Sequence, residues 1–275
     1  MVKNKSSYNF DGFDDKREEL EILERQSSAA IDLEKSIWKS AGLEKDMKVL
    51  DVGCGPGFTS CELAKEVEDG SVLGIDISGD LIAEAEKNKL RSKLRNISFI
   101  EGDAYEMQLP ENTFDFAYAR LLFQHLEHPD TALNNISKAL KPGGIACIVD
   151  IDDWWLKLHP EPRCLKPLLE KTAGIQKLKG GDRHVGRKLG GLLYDTGFKS
   201  ISTNMLLLTS GEIGMRNLLD VSIAFRPGLF PSGERHAADA MVREIYGLLE
   251  EPGASGWYGI FAATGRKGLC ATETA

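Results

Sequence analysis

The sequence predicts an α/β fold in which a largely parallel β-sheet carries helices on both faces. From residue 47 onward, short β-branched runs alternate with stretches of helical composition, the order expected of strand–helix–strand units. The runs are apolar almost throughout, as strands covered on both faces are. Right-handed crossovers bring the carboxyl ends of such strands to one edge of the sheet, where these folds bind ligands.

The first half of the chain supplies five strands and the helices that connect them. We predict strands at 47–52, 71–76, 96–101, 114–119 and 144–151, and helices at 57–68, 79–92 and 130–140. A longer helix over 16–41 precedes them, because its apolar residues recur at intervals of three and four.

The regular alternation of predicted strands and helices ends after residue 151. Helices are predicted at 166–178 and 185–198, and Gly197 is placed to end the second with a left-handed cap. Strands at 199–209 and 257–267 flank a largely helical block, 212–250. Within that block, Ser232 is a candidate cap for an amphipathic helix, and FRPGLFPSG at 225–233 has the composition of a mobile loop.

Composition and charge exclude several classes of protein. The 275 residues are 42% hydrophobic and 28% charged, which is typical of a soluble globular protein. No apolar run approaches the roughly 20 residues that cross a bilayer, and the N-terminal residues hold no apolar signal-peptide core. We therefore expect a cytoplasmic protein that binds no membrane.

A net charge of −8 disfavours nucleic acid as a partner. The one basic run, 86–95, scatters its charges around a helix instead of forming a stripe, which is typical of a solvated face. The five cysteines are dispersed without a C-x-x-C pair, so neither disulfides nor a metal site is predicted.

The turn behind the first strand, VLDVGCGPGFTS at 49–60, concentrates glycine where a ligand is expected. Gly53, Gly55 and Gly57 let the backbone bend sharply and let a ligand press against it, and the helix that follows offers unpaired N–H groups. The G-x-G-x-x-G pattern of dinucleotide sites is not met, since Phe58 stands where the last glycine belongs. A tight turn without a ligand is the alternative at this point.

Carboxylates converge on this turn. Asp76 ends the second strand 19 residues after Gly57, where a carboxylate can accept hydrogen bonds from both hydroxyls of a ribose. Asp103 follows the third strand at the same edge, and Asp51 lies inside the first strand. Because a lone buried carboxylate is costly, Asp51 needs partners such as backbone amides or the amino group of a ligand. Taken singly, Asp76 and Asp103 are equally well explained as helix or turn caps.

With these residues in place, the chain resembles the class I methyltransferases that use S-adenosylmethionine. The resemblance covers residues 40 to 151, where the motifs VLDVGCGPG, VLGIDIS, FIEGDAYEMQLPENTFDFAYA, HLEHPDTALNNISKALKPGG and IACIVDI occur in the family's order. It implies a Rossmann-like sheet of seven strands, mostly parallel, with the last strand antiparallel and helical lid insertions.

The resemblance also implies a cofactor site. The glycine turn passes under the methionine part of the cofactor, Asp76 holds the ribose, Asp103 with Ala104 meets the adenine, and the backbone of Arg120 lies near the methionine end. The cofactor-binding residues that it implies, including two from the N-terminal segment, are Tyr8, Gln26, Asp51, Gly53, Gly55, Asp76, Ile77, Asp103, Ala104 and Arg120.

The N-terminal helix is similar to that of a small-molecule branch of the family, of the ubiquinone- and menaquinone-biosynthesis type, in which this helix covers the cofactor. Tyr8, Glu19, Leu23 and Gln26 match that branch, but Ile22 stands where an arginine recurs, for which Arg25 is a candidate substitute. We expect residues 1–45 to cap a methyltransferase domain at 46–275, with a substrate lid at about 210–251. Simple packing of the apolar stripe is the alternative for this helix.

The candidate catalytic residue is His125, in LLFQHLEHP after the fourth strand. An oxygen or nitrogen acceptor must lose a proton, and related enzymes often place a histidine at this loop beside the transferred methyl. A histidine that fixes the loop or caps the helix near residue 130 is equally compatible with the sequence. His128 precedes Pro129 and is typical of a turn, with an exchange of roles between the two histidines as the alternative.

Acidic residues Asp150, Asp152 and Asp153 precede Trp154 and Trp155 at the end of the fifth strand. Carboxylate and indole groups at this edge would suit an acceptor with an amine, a hydroxyl or an aromatic ring. Strand termination by the aspartates and anchoring by the tryptophans is the slightly favoured alternative.

The sequence therefore predicts a methyltransferase that moves a methyl group from S-adenosylmethionine to an O, N or C atom of a small molecule, working as a monomer or homodimer. A non-catalytic protein that binds the same cofactor is one alternative. An NAD-dependent oxidoreductase is another, which Phe58 disfavours. Protein acceptors stay open, whereas nucleic acid is disfavoured by the charge.

Overall fold

Seven strands form one sheet in the computed structural model, which describes Ser7, Tyr8, Phe10 and residues 16–269. The strands are β1 (Lys48–Val52), β2 (Ser71–Asp76), β3 (Ile97–Glu101), β4 (Phe114–Arg120), β5 (Leu140–His159), β6 (Lys199–Thr209) and β7 (Ser255–Arg266). Their order across the sheet is β3-β2-β1-β4-β5-β7-β6, and β7 runs antiparallel to both of its neighbours. The predicted fold class is confirmed.

Helices cover both faces of this sheet. They are α1 (Lys16–Ala41), α2 (Phe58–Glu66), α3 (Gly79–Ser92), α4 (Pro129–Ala139), α5 (Leu165–Leu178), α6 (Leu189–Asp195), α7 (Ser210–Ile213), α8 (Met215–Ser222), α9 (Arg226–Leu229) and α10 (Ser232–Tyr246). Alternate residues of a strand point to opposite faces, so Val49 joins the core under α1 and α2 while Leu50 joins the core under α4 and α6. None of the helices in the described ranges is long and apolar enough to span a bilayer.

β5 is much longer than predicted, because the strand continues beyond residue 151. Its register against β7 shifts between Ile151 and Leu156, and pairing then resumes as far as His159. The irregularity lets Asp152 and Asp153 both point inward, where their side chains are buried. A bulge of this kind breaks the alternation of polar and apolar residues that marks a strand in the sequence.

The region after β6 also differs from its prediction. The predicted helical block is four helices, α7 to α10, and the expected mobile loop at 225–233 contains α9, whose Arg226 is completely buried. Ser232 is the first residue of α10 and makes no capping hydrogen bond with its side chain, so the predicted cap is wrong. Gly197 does end α6 with φ of 88°, as predicted.

The site expected from the sequence lies where the strand order reverses. β1 pairs in parallel with β2 on one side and β4 on the other, so the connections after β1 and β4 leave in opposite directions. Sheets of this kind bind ligands in the gap between these two connections, at the carboxyl edge of the sheet. Helix α1 packs against α2 and α8 on this side of the sheet.

Candidate functional site

A single cavity at the carboxyl ends of β1, β2 and β4 brings the predicted residues together. All eleven of them lie on its wall: Tyr8, Gln26, Asp51, Gly53, Gly55, Asp76, Ile77, Asp103, Ala104, Arg120 and His125. Ile22 and Leu23 of α1 also line it. Arg25 does not, because its guanidinium faces Asp220 at 3.8 Å, so it does not take the place of the arginine that Ile22 replaces.

The three glycines behind β1 are required for two different reasons. All have positive φ, 74° at Gly53, 53° at Gly55 and 75° at Gly57, a conformation that other residues rarely adopt. A Cβ on Gly57 would lie 2.7 Å from the Phe99 ring, so this glycine serves packing. A Cβ on Gly55 would meet nothing within 4 Å. Gly55 therefore leaves open space against the backbone, which is the form of a cradle for a ligand.

Asp76 ties this turn to β2. Its Oδ2 accepts a hydrogen bond from the Gly55 N–H at 2.8 Å, and its Oδ1 accepts one from the Ser78 N–H at 2.9 Å. The Ile75 carbonyl accepts from the N–H groups of Gly53 and Cys54. Burial raises the pKa of the Asp76 carboxyl, and the backbone N–H donors oppose that shift. Each carboxylate oxygen keeps a lone pair for a further donor.

Asp51 lies under the cradle, 2% exposed, and accepts a hydrogen bond from Ser60 Oγ at 2.5 Å. Burial raises the pKa of Asp51 to about 7, and the nearby carboxylates of Glu34 and Asp76 add to the rise, against the Ser60 hydrogen bond and the Arg120 charge. Such a group is only partly ionised at neutral pH. A cation bound beside it would favour the charged form.

The other end of the cavity offers an apolar wall and an ordered turn. Asp103 accepts a hydrogen bond from the Tyr105 N–H at 2.8 Å, and the Ala104 carbonyl accepts one from Asn135 at 3.1 Å. Ile77 is 58% exposed although it is large and apolar. An exposed aliphatic side chain can pack on the face of a flat ring, while the polar turn beside it can hydrogen-bond to the polar edge of that ring.

Helix α1 is held over the cavity by a buried ion pair. Arg120 donates from Nε to Glu34 at 2.6 Å and from Nη2 to the Gln26 carbonyl at 2.6 Å, and Tyr118 donates to Glu34 at 2.5 Å. Tyr8 donates to Glu19 at 2.9 Å. The arginine that the sequence places near the cofactor thus also fixes the helix expected to cover it.

His125 lies in a 3-10 turn after β4, facing the N-terminal segment. Its Nδ1 is 2.9 Å from Ser7 Oγ, and its ring centroid is 5.4 Å from that of Tyr8. Burial and the nearby Arg183 charge lower the pKa of His125 to about 3, so the ring is neutral at physiological pH and is a weaker base than a free histidine. His128 is exposed and immediately precedes α4, as expected of a turn residue.

The aspartates in the middle of β5 stabilise the fold and do not line the cavity. Asp153 binds Arg183 and Arg226, and Asp152 binds Arg187 and His184. None of Asp150, Asp152, Asp153, Trp154 and Trp155 lines the cavity. The hypothesis that these acidic and indole groups form the acceptor site is therefore wrong. The alternative that the aspartates terminate the strand is also wrong, because β5 continues beyond them to His159.

Several residues on the wall were missed by sequence reasoning. Gln124 comes from the loop after β4, Gln176 from α5 and Arg183 from the segment before α6, while Phe225 lies between α8 and α9 and Tyr258 in β7. Gln124 lies next to His125 in LLFQHLEHP, and Phe225 begins the predicted loop FRPGLFPSG, but neither pattern indicated that these side chains face the cavity.

Comparisons with known proteins agree with this arrangement. A family model described as a methyltransferase domain matches residues 43–184. An uncharacterized methyltransferase of Schizosaccharomyces pombe is 33% identical over 159 residues, 56% of this chain and 57% of that protein. A demethylmenaquinone methyltransferase of Staphylococcus aureus is 35% identical over 116 residues, 42% of this chain and 47% of that protein. The chain spans about half the length of these two relatives.

A solved structure extends the likeness to nearly the whole chain. Phosphoethanolamine N-methyltransferase 2 of Haemonchus contortus, in complex with S-adenosyl-L-methionine, matches with a TM-score of 0.63 and 18% identity, covering 96% of this chain and 60% of that one. At that identity the likeness shows the fold alone.

Proposed function

Since the chain belongs to the methyltransferase-domain family, we propose that it moves a methyl group from S-adenosylmethionine to an O, N or C atom of a small-molecule acceptor. The observation that carries the proposal is the open space against Gly55, bounded by the Asp76 carboxylate at the carboxyl edge of the sheet. A cofactor with a ribose and an extended chain fits such a cradle, and a Cβ at Gly55 would project into it.

The roles proposed for the lining residues follow their chemistry. Asp76 accepts hydrogen bonds from the ribose hydroxyls, Asp51 faces the positive charge of the methionine part, and Asp103, Ala104 and Ile77 receive the adenine. Gly53 and Gly55 pass beneath the methionine part. Tyr8 and Gln26, from the segment proposed as a cap at 1–45, and the Arg120 backbone complete the set.

When bound, the cofactor supplies a methyl group activated by a sulfonium, so the chain's main task is alignment. For an acceptor that must lose a proton, we assign its removal to His125. In the tautomer that donates from Nδ1 to Ser7 Oγ, the Nε2 lone pair is free to accept that proton. Because the lowered pKa makes this ring a weak base, His125 suits an acceptor whose proton is already acidic.

The lid assigned to about 210–251 reaches the cavity through Val221, Phe225 and Leu229. Relatives named for demethylmenaquinone and phosphoethanolamine methylation support small acceptors. A cytoplasmic location, the absence of membrane and nucleic-acid partners, and a monomeric or homodimeric state stay predictions from the sequence.

The test is calorimetric titration with S-adenosylmethionine, S-adenosylhomocysteine and NADH, followed by a screen of acceptors for release of S-adenosylhomocysteine. We expect the first two ligands to bind and NADH to bind much more weakly. Tight NADH binding alone would support the oxidoreductase instead. Binding of S-adenosylhomocysteine without methylation of any acceptor in a broad panel would support a non-catalytic protein.

A further inference from the structure

The cavity wall contains a polar group that the proposed cofactor site does not use. Arg183 is 4% exposed and lies on the wall together with Gln124, Gln176 and Tyr258, and none of these residues belongs to the set assigned to the cofactor. Buried arginines are rare unless their charge is paired. The partners of Arg183 therefore determine whether its charge is balanced on this wall.

The hydrogen bonds of Arg183 leave one donor unused. Nε and Nη2 donate to the two Asp153 oxygens at 3.0 and 2.8 Å, Nη2 also donates to Tyr258 at 3.3 Å, and Nη1 donates to Gln124 Oε1 at 2.7 Å. A guanidinium has five N–H groups. Within the described residues, the second N–H of Nη1 has no partner.

Arg183, Arg226 and Asp153 form a buried cluster whose positive charge is not fully balanced. Arg226 donates to the same two Asp153 oxygens at 2.9 Å each, so two guanidiniums share one carboxylate. The Phe225 ring faces both, with centroid distances of 5.1 Å to Arg183 and 5.2 Å to Arg226. Gln124, the other partner of Arg183, is uncharged.

Asp150 is the other buried acid near Arg183, and it balances the charge of the cluster only in part. Its two oxygens accept from the N–H groups of Gln124 and Ile151, and burial raises the pKa of Asp150 to about 7. The cluster therefore carries excess positive charge in slightly acidic and neutral solution. A buried charge without a counterion is costly, so an anionic ligand is favoured here.

Gln176 lies on the same wall as Arg183 and, within the part of the chain that the structure describes, also has a polar atom without a hydrogen-bond partner. Its Nε2 donates to the Gln124 carbonyl at 2.8 Å, while its buried Oε1 has no partner among the described residues. Both Gln176 and Arg183 are thus attached to Gln124, which precedes His125. One offers a hydrogen-bond acceptor and the other a charged donor.

We propose that Arg183 binds an anionic oxygen of the methyl acceptor, so that the acceptors of this protein are small molecules with a carboxylate or an ionised phenol or enol. The inference rests on the proposed function, which supplies the methyl donor and places the acceptor beside His125. The free Arg183 N–H donates to the anionic oxygen, and Gln176 Oε1 accepts from a hydroxyl or amine on the same molecule.

The experiment compares paired probes on the protein saturated with S-adenosylhomocysteine. Aliphatic and aromatic carboxylic acids are measured beside their primary amides, and nitrophenols beside their methyl ethers, with dissociation constants from ligand-observed NMR. We expect at least one anionic class to bind at least tenfold more tightly than its uncharged partner. The two arms show whether a carboxylate or a phenolate is preferred.

A matched pair of variants separates recognition from folding. Arg183→Gln and Arg226→Gln each remove one guanidinium from Asp153, but Arg226 does not line the cavity. We expect Arg183→Gln to abolish the preference for anions and Arg183→Lys to retain part of it. Arg226→Gln should weaken the preference less than Arg183→Gln does, because it lowers the excess charge of the cluster but leaves the Arg183 donor on the wall. Should Arg183→Gln not fold, the lysine variant and the wild-type preference decide the question.

Three results would overturn the inference: equal binding of anions and their uncharged partners, a preference that survives in Arg183→Gln, or an equal loss in both glutamine variants. Calorimetry with S-adenosylhomocysteine alone is run first. Failure to bind it contradicts the proposed function, and the probes are then measured on the free protein. Normal binding of it without a preference for anions contradicts only the role of Arg183.

Discussion

Cofactor binding should strengthen as pH rises through neutrality, because Asp51 must be ionised to face a cation. Its pKa of about 7 comes first from burial. At that pKa about one tenth of the molecules carry the ionised carboxylate at pH 6 and about nine tenths at pH 8. If the cationic methionine part binds only the ionised form, the association constant rises about tenfold between these pH values.

The assay is isothermal titration with S-adenosylmethionine at pH 6, 7 and 8, on the wild type and on Asp51→Asn. The asparagine keeps the size of the side chain and a hydrogen-bond acceptor for Ser60 but cannot ionise. Because the amino group of the ligand also titrates, the effect of Asp51 is the difference between the two proteins' slopes. Asp150→Asn is the matched control, since Asp150 has a similar pKa but lies off the cavity wall.

We expect the wild type and Asp150→Asn to share one pH slope, and Asp51→Asn to bind more weakly at pH 8 with a flatter slope. The same slope in wild type and Asp51→Asn would refute the reasoning, since it would show that Asp51 is not the group that meets the cation.

Three further predictions concern other residues of the site and its support. Asp76→Ala should weaken binding of S-adenosylmethionine by about 1–3 kcal/mol, or roughly 5- to 150-fold, through lost charge-assisted hydrogen bonds; unchanged affinity in calorimetry would remove its assigned role. His125→Ala should lower the initial rate of methylation with little change in cofactor affinity, and full retention of turnover would mark His125 as structural. Asp153→Asn should lower the free energy of unfolding by about 3–5 kcal/mol, because it leaves two buried guanidiniums without a carboxylate. Urea unfolding checks this against Asp182→Asn, whose partner Lys188 is exposed, where a change within about 1 kcal/mol is expected; equal losses in the two variants would contradict the importance of burial.

The cofactor side of the cavity could be predicted because its determinants are local in the chain. Gly53, Gly55 and Gly57 follow directly after a strand, and Asp76 and Asp103 each end or follow one. Parallel strands bring such positions to one edge whatever the rest of the chain does. The spacing of turn and strand ends was therefore enough to place these residues on one wall.

The prediction was wrong in the middle of β5, where side-chain direction depends on an irregular register. Asp152 and Asp153 follow an apolar strand and precede two tryptophans, so a strand end at the ligand edge was one reasonable interpretation. The shift of register between Ile151 and Leu156 instead buries both carboxylates among arginines. Those arginines lie 30 and more residues further along the chain, where no local pattern marks them as partners.

The sequence by itself determined the order of strands and helices, the glycine turn and the carboxylates around it, because each depends on neighbours within a few residues or on the direction of a single strand. Only the tertiary structure decided that Arg183, Gln176 and Phe225 share the cavity with His125, and that Arg226 ties α9 to Asp153. These contacts join segments far apart in the chain, and which buried charge meets which partner is settled by packing across the whole sheet.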